Sequence, residues 1–326
     1  MTILLTYDLG GTSLRCGLYS TSELQLLIRQ VYPTPNCQRS GARQTVLRDQ
    51  LIDAMLDAAL ALIAQSEHRP EAVVAGVPGP VNVEGFLLEA PTILGEQLSG
   101  PFPFKARLSA AVGLPTTVMN DITAAGYRYV CDGQEDFCLV SIGSGIGAKI
   151  FFNSVPVLGV SFDTGELGHV KWSSLPDAPI CDCGEIGHIG AYASGRGVAN
   201  FLVQAQANKD PLGFAVSRLA GTAIHTMDIA QAFVKGDPWT TNCVATSLIP
   251  LAAGLAATRS IVGMERYIVI GGFAFAVGTP YTSLLARKCN EHYNWPGWNT
   301  AFEMGYADDD NGLVGAGRYG EDRGKA

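Results

Sequence analysis

The order of the first elements limits the fold more tightly than anything else in the chain. Residues 3–8 (ILLTYD), 14–19 (LRCGLY) and about 25–32 (QLLIRQVY) are three consecutive short apolar runs. Only Gly10, Gly11 and a polar turn at 20–23 separate them, which predicts three strands joined by tight turns. The period then changes. Leu47, Leu51, Met55, Leu56, Ala59, Leu60 and Ile63 recur at three- and four-residue spacing, so 43–65 is expected to be a helix with one buried face. EAVVAGV predicts a strand stopped by Pro78, Gly79 and Pro80, residues 103–112 a short helix, and TTVMND another strand. The order β-β-β-α-β-α-β is not a plain alternation. It fits a meander followed by crossover units, in a mixed sheet with a parallel portion.

The pattern partly recurs. FCLVSI and AKIFFN are expected as strands around a second glycine-rich turn, and YIVIGG as a strand ending in glycines. Helices are expected near 196–206, 228–234, 241–262 and 309–318. A chain of 326 residues suits two α/β halves with a cleft between them. The expected division is 1–119 plus 309–326 for the first domain and 120–308 for the second.

Composition excludes several classes. The net charge is −8 with no basic block, so a nucleic-acid footprint is lacking. MTILLTYD has no basic region of a signal peptide, and the apolar stretch Leu248–Ala257 is far short of a membrane span. The expectation is a cytoplasmic protein without a membrane partner. Cys16, Cys37, Cys131, Cys138, Cys243 and Cys289 are scattered, as small buried hydrophobes would be. An acidic chain still binds a polyanion when backbone amides and a divalent cation do the work.

Three glycine turns offer such amides. In DLGGT, Gly10 and Gly11 let the backbone approach a phosphate, Thr12 adds a hydroxyl, and Asp8 could hold Mg²⁺ through water. A hairpin turn is the plainer alternative. SIGSGIGAK repeats the arrangement with Gly143, Ser144, Gly145 and Gly147, and neither turn opens a helix as a dinucleotide fingerprint would. In IVIGGFAF, Gly271 and Gly272 could let an adenosine lie against the backbone, or merely turn a strand into a helix. Between the first two turns, VMNDITAAGY ends a strand with Asn120 and Asp121. There a carboxylate can take the proton of an attacking hydroxyl, or cap the helix that follows.

Residues 169–195 hold the chain's densest group of soft ligands. Cys181 and Cys183 lie on one glycine-rich loop, with His188 and His169 as third and fourth candidates. Two thiolates and two imidazoles match tetrahedral structural zinc, with no open position for catalysis. Through His169 such an ion would hold Glu166 ready to accept hydrogen bonds from substrate hydroxyls.

DLGGT, GVPGPVN, MNDITAAG, SIGSGIGAK, GELGH, CDCGEIGH and IVIGG occur in this order over almost the whole chain, which thereby resembles the ROK family of sugar kinases and sugar-responsive repressors. The resemblance implies two ribonuclease-H-like domains of the actin/hexokinase type, usually in a homodimer or homotetramer. It implies transfer of the γ-phosphate of ATP to a primary, 6-type sugar hydroxyl, with Mg²⁺ and a structural Zn²⁺. Asp121 becomes the general base, and Gly79, Asn120, Glu166 and His169 line the sugar site. Asp8, Gly10, Gly11, Thr12 and Gly143–Gly147 surround the phosphates, and Gly271 and Gly272 the adenosine.

Three positions depart from the family pattern. His188 replaces a zinc cysteine, Ser13 replaces the lysine that often follows GGT, with Arg15 nearby, and Gly190 replaces a glutamate that binds hydroxyls near the anomeric carbon. A carboxylate only accepts hydrogen bonds, so its loss admits a carbonyl or a substituent there. The implied acceptor is thus a hexose, a modified sugar or a C7-cyclitol. A polyphosphate donor and a non-catalytic sugar-binding protein are the remaining alternatives. A repressor is disfavoured, because no basic segment precedes Asp8.

Overall fold

Apolar runs buried almost throughout form the centre of the first sheet, and exposed positions alternate only along its edge strand, Gln25–Pro33. The computed structural model describes residues 2–95, 100–130, 135–160, 162, 164–208, 217–220, 224–292 and 300–324. The meander forms as β1 (Ile3–Leu9), β2 (Ser13–Ser20) and β3 (Gln25–Pro33), all antiparallel neighbours. Two crossovers add β4 (Ala72–Val77) and β5 (Thr116–Asn120) in parallel, giving the order β3-β2-β1-β4-β5. The crossover helices are Gln44–Ala64 and Phe104–Val112. The first buries Leu47, Leu51, Ile52, Met55, Ala58, Ala59 and Leu62. Leu60, expected on that face, is exposed, because at 3.6 residues per turn it falls off the stripe through Leu51, Met55 and Leu62.

The chain forms two units, 1–134 with 154–164 and 308–326, and 135–153 with 165–307. The first boundary therefore lies after residue 134, not after 119. The reason is packing: β5 pairs with β4, and the helix Asp121–Tyr127 sits over β4, where Ala124 lies against Gly76. The C-terminal helix Asn311–Gly324 joins the same unit, starting two residues later than expected. It turns a glycine face inward. A side chain at Gly315 would overlap the Ala124 carbonyl, and one at Gly317 the ring of Tyr19.

The second unit has its own core around the hairpin Phe137–Ile142 and Ile146–Phe152. Arg266–Ile270 pairs in parallel with Phe137–Ile142, and Ala301–Met304 in parallel with Arg266–Ile270. The helix expected over 241–262 is two, Pro238–Ser247 and Ile249–Val262, bent by 47°. Pro250 has no amide with which to continue the first helix's ladder. Both bury apolar faces in this core, and among the described residues no single helix is long and apolar enough to cross a membrane. Cys16, Cys138, Cys243 and Cys289 are buried and Cys37 is partly so, while Cys131 lies outside the described residues.

Gly315→Ala should lower stability by about 2 kcal/mol, the ordinary scale of overpacking, because backbone rather than a movable side chain opposes the new methyl. Thermal denaturation checks this; an unchanged midpoint contradicts the packing described.

Candidate active site

Parallel pairing places the carboxyl ends of β1, β4 and β5 along one sheet edge, the usual position of ligand sites in such sheets. Asp8 lies opposite Gly76, and Val77 opposite Asn120. Asp8 and Asn120 are thus two strands, roughly 10 Å, apart. Asn120, rather than Asp121, caps the helix that follows. Its Oδ1 accepts from the amides of Ile122 and Thr123 at 3.0 and 3.1 Å. Asp121 is the first helical residue, half-buried, and its Oδ1 accepts from the Ile122 amide at 2.8 Å and from Asn120 Nδ2 at 3.0 Å. Asn120 Nδ2 also donates to the Gly79 carbonyl at 3.3 Å. One amide side chain therefore brings Gly79, Asn120 and Asp121 together and fixes the carboxylate.

The first glycine turn lies at the end of β1. The Gly10 amide donates to the Ser13 carbonyl at 2.9 Å. The Gly10 carbonyl accepts from Thr34 Oγ1 and the Gly11 carbonyl from Asn36 Nδ2, both at 2.7 Å. The Thr12 carbonyl accepts from the Thr34 amide and from Arg39 Nη1, both at 3.1 Å. Sequence analysis missed these three residues. The signal was available in the hairpin register, which sets Ser13 opposite Pro33 and so carries residues 34–39 to the turn.

Asp8 is crowded by charge. Arg15 Nη1 lies 3.5 Å from its carboxylate, while Arg15 Nη2 holds Asp309 at 2.6 Å. Asp308 pairs with Arg128 at 2.6 Å and Asp310 with Arg29 at 3.0 Å. Burial pushes the Asp8 carboxyl up to about 6, Asp309 and Asp310 add to this, and Arg15 opposes it. A carboxylate so placed gains most from a divalent cation, which fits water-mediated Mg²⁺. Arg15 is engaged on both sides and does not stand in for a lysine at the turn.

In the second unit two glycine turns are neighbours, because Ser141 pairs with Ile270. In the turn between the hairpin strands, the Gly143 amide donates to the Gly145 carbonyl at 3.0 Å. The Gly143 carbonyl accepts from the Gly195 amide at 2.8 Å, and Ser144 and Gly145 are exposed at the tip. Gly147 opens out of the turn within the strand Ile146–Phe152. Gly271 is a strand-to-helix turn: it precedes the helix Gly272–Val277, and a side chain there would meet the Ile142 backbone. No atom would oppose one at Gly272.

GELGH backs onto Ile146–Phe152. Side chains at Gly165 and Gly168 would overlap the carbonyls of Ala148 and Ile146, so both positions need glycine for close approach. Seated this way, the short helix Leu167–His169 presents Glu166 and His169 outward, with His169 Nε2 at 4.0 Å from the Glu166 carboxylate.

His169, Cys181, Cys183 and His188 come together, their ligand atoms all within 4.8 Å of one another. Cys183 Sγ lies 3.3 Å from His188 Nδ1, and the two imidazoles meet edge to face at 5.5 Å. The loop turns back on itself: the Cys181 amide donates to the Glu185 carbonyl at 2.8 Å and the Gly184 amide to the Cys181 carbonyl at 2.9 Å. Burial first, then His169 and Lys171, hold His188 below the usual imidazole value, so it offers a lone pair. Burial pushes the Cys181 thiol up; the Cys183 backbone opposes this, the Cys183 thiol adds to it, and a bound dication would favour the thiolate. Two sulfurs and two nitrogens this close fit tetrahedral zinc after a contraction of about 1 Å. Arg196 touches this loop and the second turn together, pairing with Asp182 and donating from Nε to the Ser144 carbonyl at 3.1 Å.

Comparison with known proteins gives a consistent picture. The model of the ROK family matches residues 4–320. A C(7)-cyclitol 7-kinase of Streptomyces hygroscopicus subsp. limoneus is 34% identical, over 97% of this chain and 93% of that protein. An N-acetylmannosamine kinase of Salmonella typhi is 29% identical, over 84% of each chain. Among solved structures, a ROK family glucokinase from Streptomyces griseus in complex with glucose and AMPPNP superposes with a TM-score of 0.75. It is 25% identical, with 97% of this chain and 98% of that one covered.

If the His/Cys cluster holds zinc, the purified chain should carry about one equivalent, and Cys181→Ser with Cys183→Ser should abolish it. Elemental analysis decides; full metal content in the double variant refutes the ligand set. A second expectation concerns Asp8. Its carboxyl titrates near 6 in the fold against an ordinary 3.8, so its ionisation costs nothing below about pH 4 and its full amount above pH 6. That amount is about 3 kcal/mol. Asp8→Asn should therefore stabilise the protein more at pH 8 than at pH 4. Denaturation at the two pH values checks this, and an equal effect at both overturns the assignment.

Proposed function

Because the chain belongs to the ROK family, we propose that it transfers the γ-phosphate of ATP to the 7-hydroxyl of a C7-cyclitol, a carbocyclic analogue of a hexose. It is a phosphotransferase with an alcohol acceptor, and its two α/β units are of the actin/hexokinase type. The acceptor assignment is carried by the cyclitol kinase relative, which matches at 34% identity over nearly the full length of both chains. Gly190 supports it. This residue lies in the helix Ile189–Ala193 against the Gly168 backbone, and it brings no carboxylate to repel a carbonyl or an added substituent.

In this reading Asp121 accepts the proton of the attacking hydroxyl. Asn120 and the Ile122 amide hold its Oδ1, so the carboxylate enters the reaction already oriented. Each unit offers its own candidates: in the first, Gly79 and Asn120 for acceptor hydroxyls and Gly10, Gly11 and Thr12 for phosphate oxygens; in the second, Glu166 and His169 for hydroxyls and Gly143, Ser144, Gly145 and Gly147 for phosphate oxygens. Gly271 and Gly272 lie by the adenosine. Asp8 is the residue that would hold Mg²⁺, which would supply positive charge against the departing ADP. His169, Cys181, Cys183 and His188 would hold a structural zinc, which would stiffen the GELGH segment and leave no open position for phosphoryl transfer. A hexose or amino-sugar acceptor is the second reading, favoured by the N-acetylmannosamine kinase relative.

An ADP-release assay with a C7-cyclitol, glucose and N-acetylmannosamine tests the proposal. The cyclitol should give the highest kcat/KM, and Asp121→Asn should lower kcat on the order of a thousandfold. Preference for either hexose would transfer the assignment to the second reading. A wild-type rate in the Asp121 variant would remove the general base.

A further inference from the structure

We infer that Arg39 supplies the positive charge at the first glycine turn and binds the phosphate chain of the donor. The inference rests on that turn being a phosphate site. The geometry begins with peptide planarity. In a trans peptide the N–H of one residue points opposite to the carbonyl of the residue before it. Thr34 Oγ1 draws the Gly10 carbonyl to one side, and Asn36 Nδ2 draws the Gly11 carbonyl to the same segment, both at 2.7 Å. The amides of Gly11 and Thr12 must then point away from residues 34–36. Among the described residues neither amide has a hydrogen-bond acceptor. Thr34 and Asn36 are themselves buried, so the turn is held by side chains with little freedom.

Arg39 completes this bracket from an exposed position. Its Nη1 donates to the Thr12 carbonyl at 3.1 Å, and its backbone amide is capped by Asn36 Oδ1 at 2.9 Å. Its charge also differs from that of its neighbours. Arg15, Arg29 and Arg128 each pair with one of Asp309, Asp310 and Asp308. Among the described residues Arg39 has no carboxylate partner. A polyphosphate approaching this turn meets the carboxylate of Asp8 together with the aspartates at 308–310, most of which are already neutralised. Arg39 is a cation beside the turn that no carboxylate among the described residues neutralises, and it touches the turn at the Thr12 carbonyl. With Ser13 following the glycines, no lysine duplicates it.

The test measures Mg·ADP and adenosine binding by calorimetry, together with KM for Mg·ATP and for the acceptor. Arg39→Ala should weaken Mg·ADP binding and raise KM for Mg·ATP about tenfold, as loss of a charge-assisted hydrogen bond does. Arg39→Glu should weaken both further, and Arg39→Lys should restore part of the loss. Adenosine affinity and acceptor KM should stay at wild-type values, a split that a general loss of folding would not produce. Wild-type Mg·ADP affinity in both Arg39→Ala and Arg39→Glu overturns the inference while leaving the kinase reading intact. A wild-type chain that binds no nucleotide overturns both. Nucleotide binding without transfer to any alcohol overturns the kinase reading alone.

Discussion

Parallel pairing of β4 with both β1 and β5 determines where chemistry can occur in the first unit. It aligns three strand ends and so puts Asp8, the glycine turn and the Asn120–Asp121 pair on one edge. Neither carboxylate is placed by its own loop. Asp8 stands at the last parallel pair of β1 and Asp121 directly after that of β5, and a helix N-terminus receives the chain or packs nearby: Asp121–Tyr127 after β5, and Asn311–Gly324 against Asp8. Ladder hydrogen bonds distributed over many residues thus fix an arrangement that a single flexible loop would hold poorly.

The second unit reaches a similar result by close backbone contact. Gly165 and Gly168 let GELGH lie directly on the strand that leaves the second turn. His169, at the far end of GELGH, belongs to the His/Cys cluster. A metal bound there would constrain the exposed Glu166 from both sides of its segment.

Much of this was legible in the sequence. The meander, the helix over Gln44–Ala64, the three glycine turns and the His/Cys group follow from periodicity, from turn residues and from ligand spacing, all local properties. What escaped depends on contacts between distant residues. The cap at Asn120 competes with an equally suitable Asp121, and only the three-dimensional geometry chooses between them. The boundary beyond residue 134 follows from Ala124 meeting Gly76 and Gly315. The bracket at residues 34–39 depends on a hairpin register that composition does not encode. Leu60 shows the limit of a three-and-four spacing rule, since apolar residues can satisfy it on either side of a stripe.

The shared guanidinium of Arg15 has one more consequence. It spans Asp8 and Asp309, and the second contact is the shorter. The buried carboxylate is therefore met by a charge that comes from within the protein, anchored by its tighter grip on Asp309. The strand end beside the glycine turn is thus electrostatically tied to the loop that precedes the C-terminal helix.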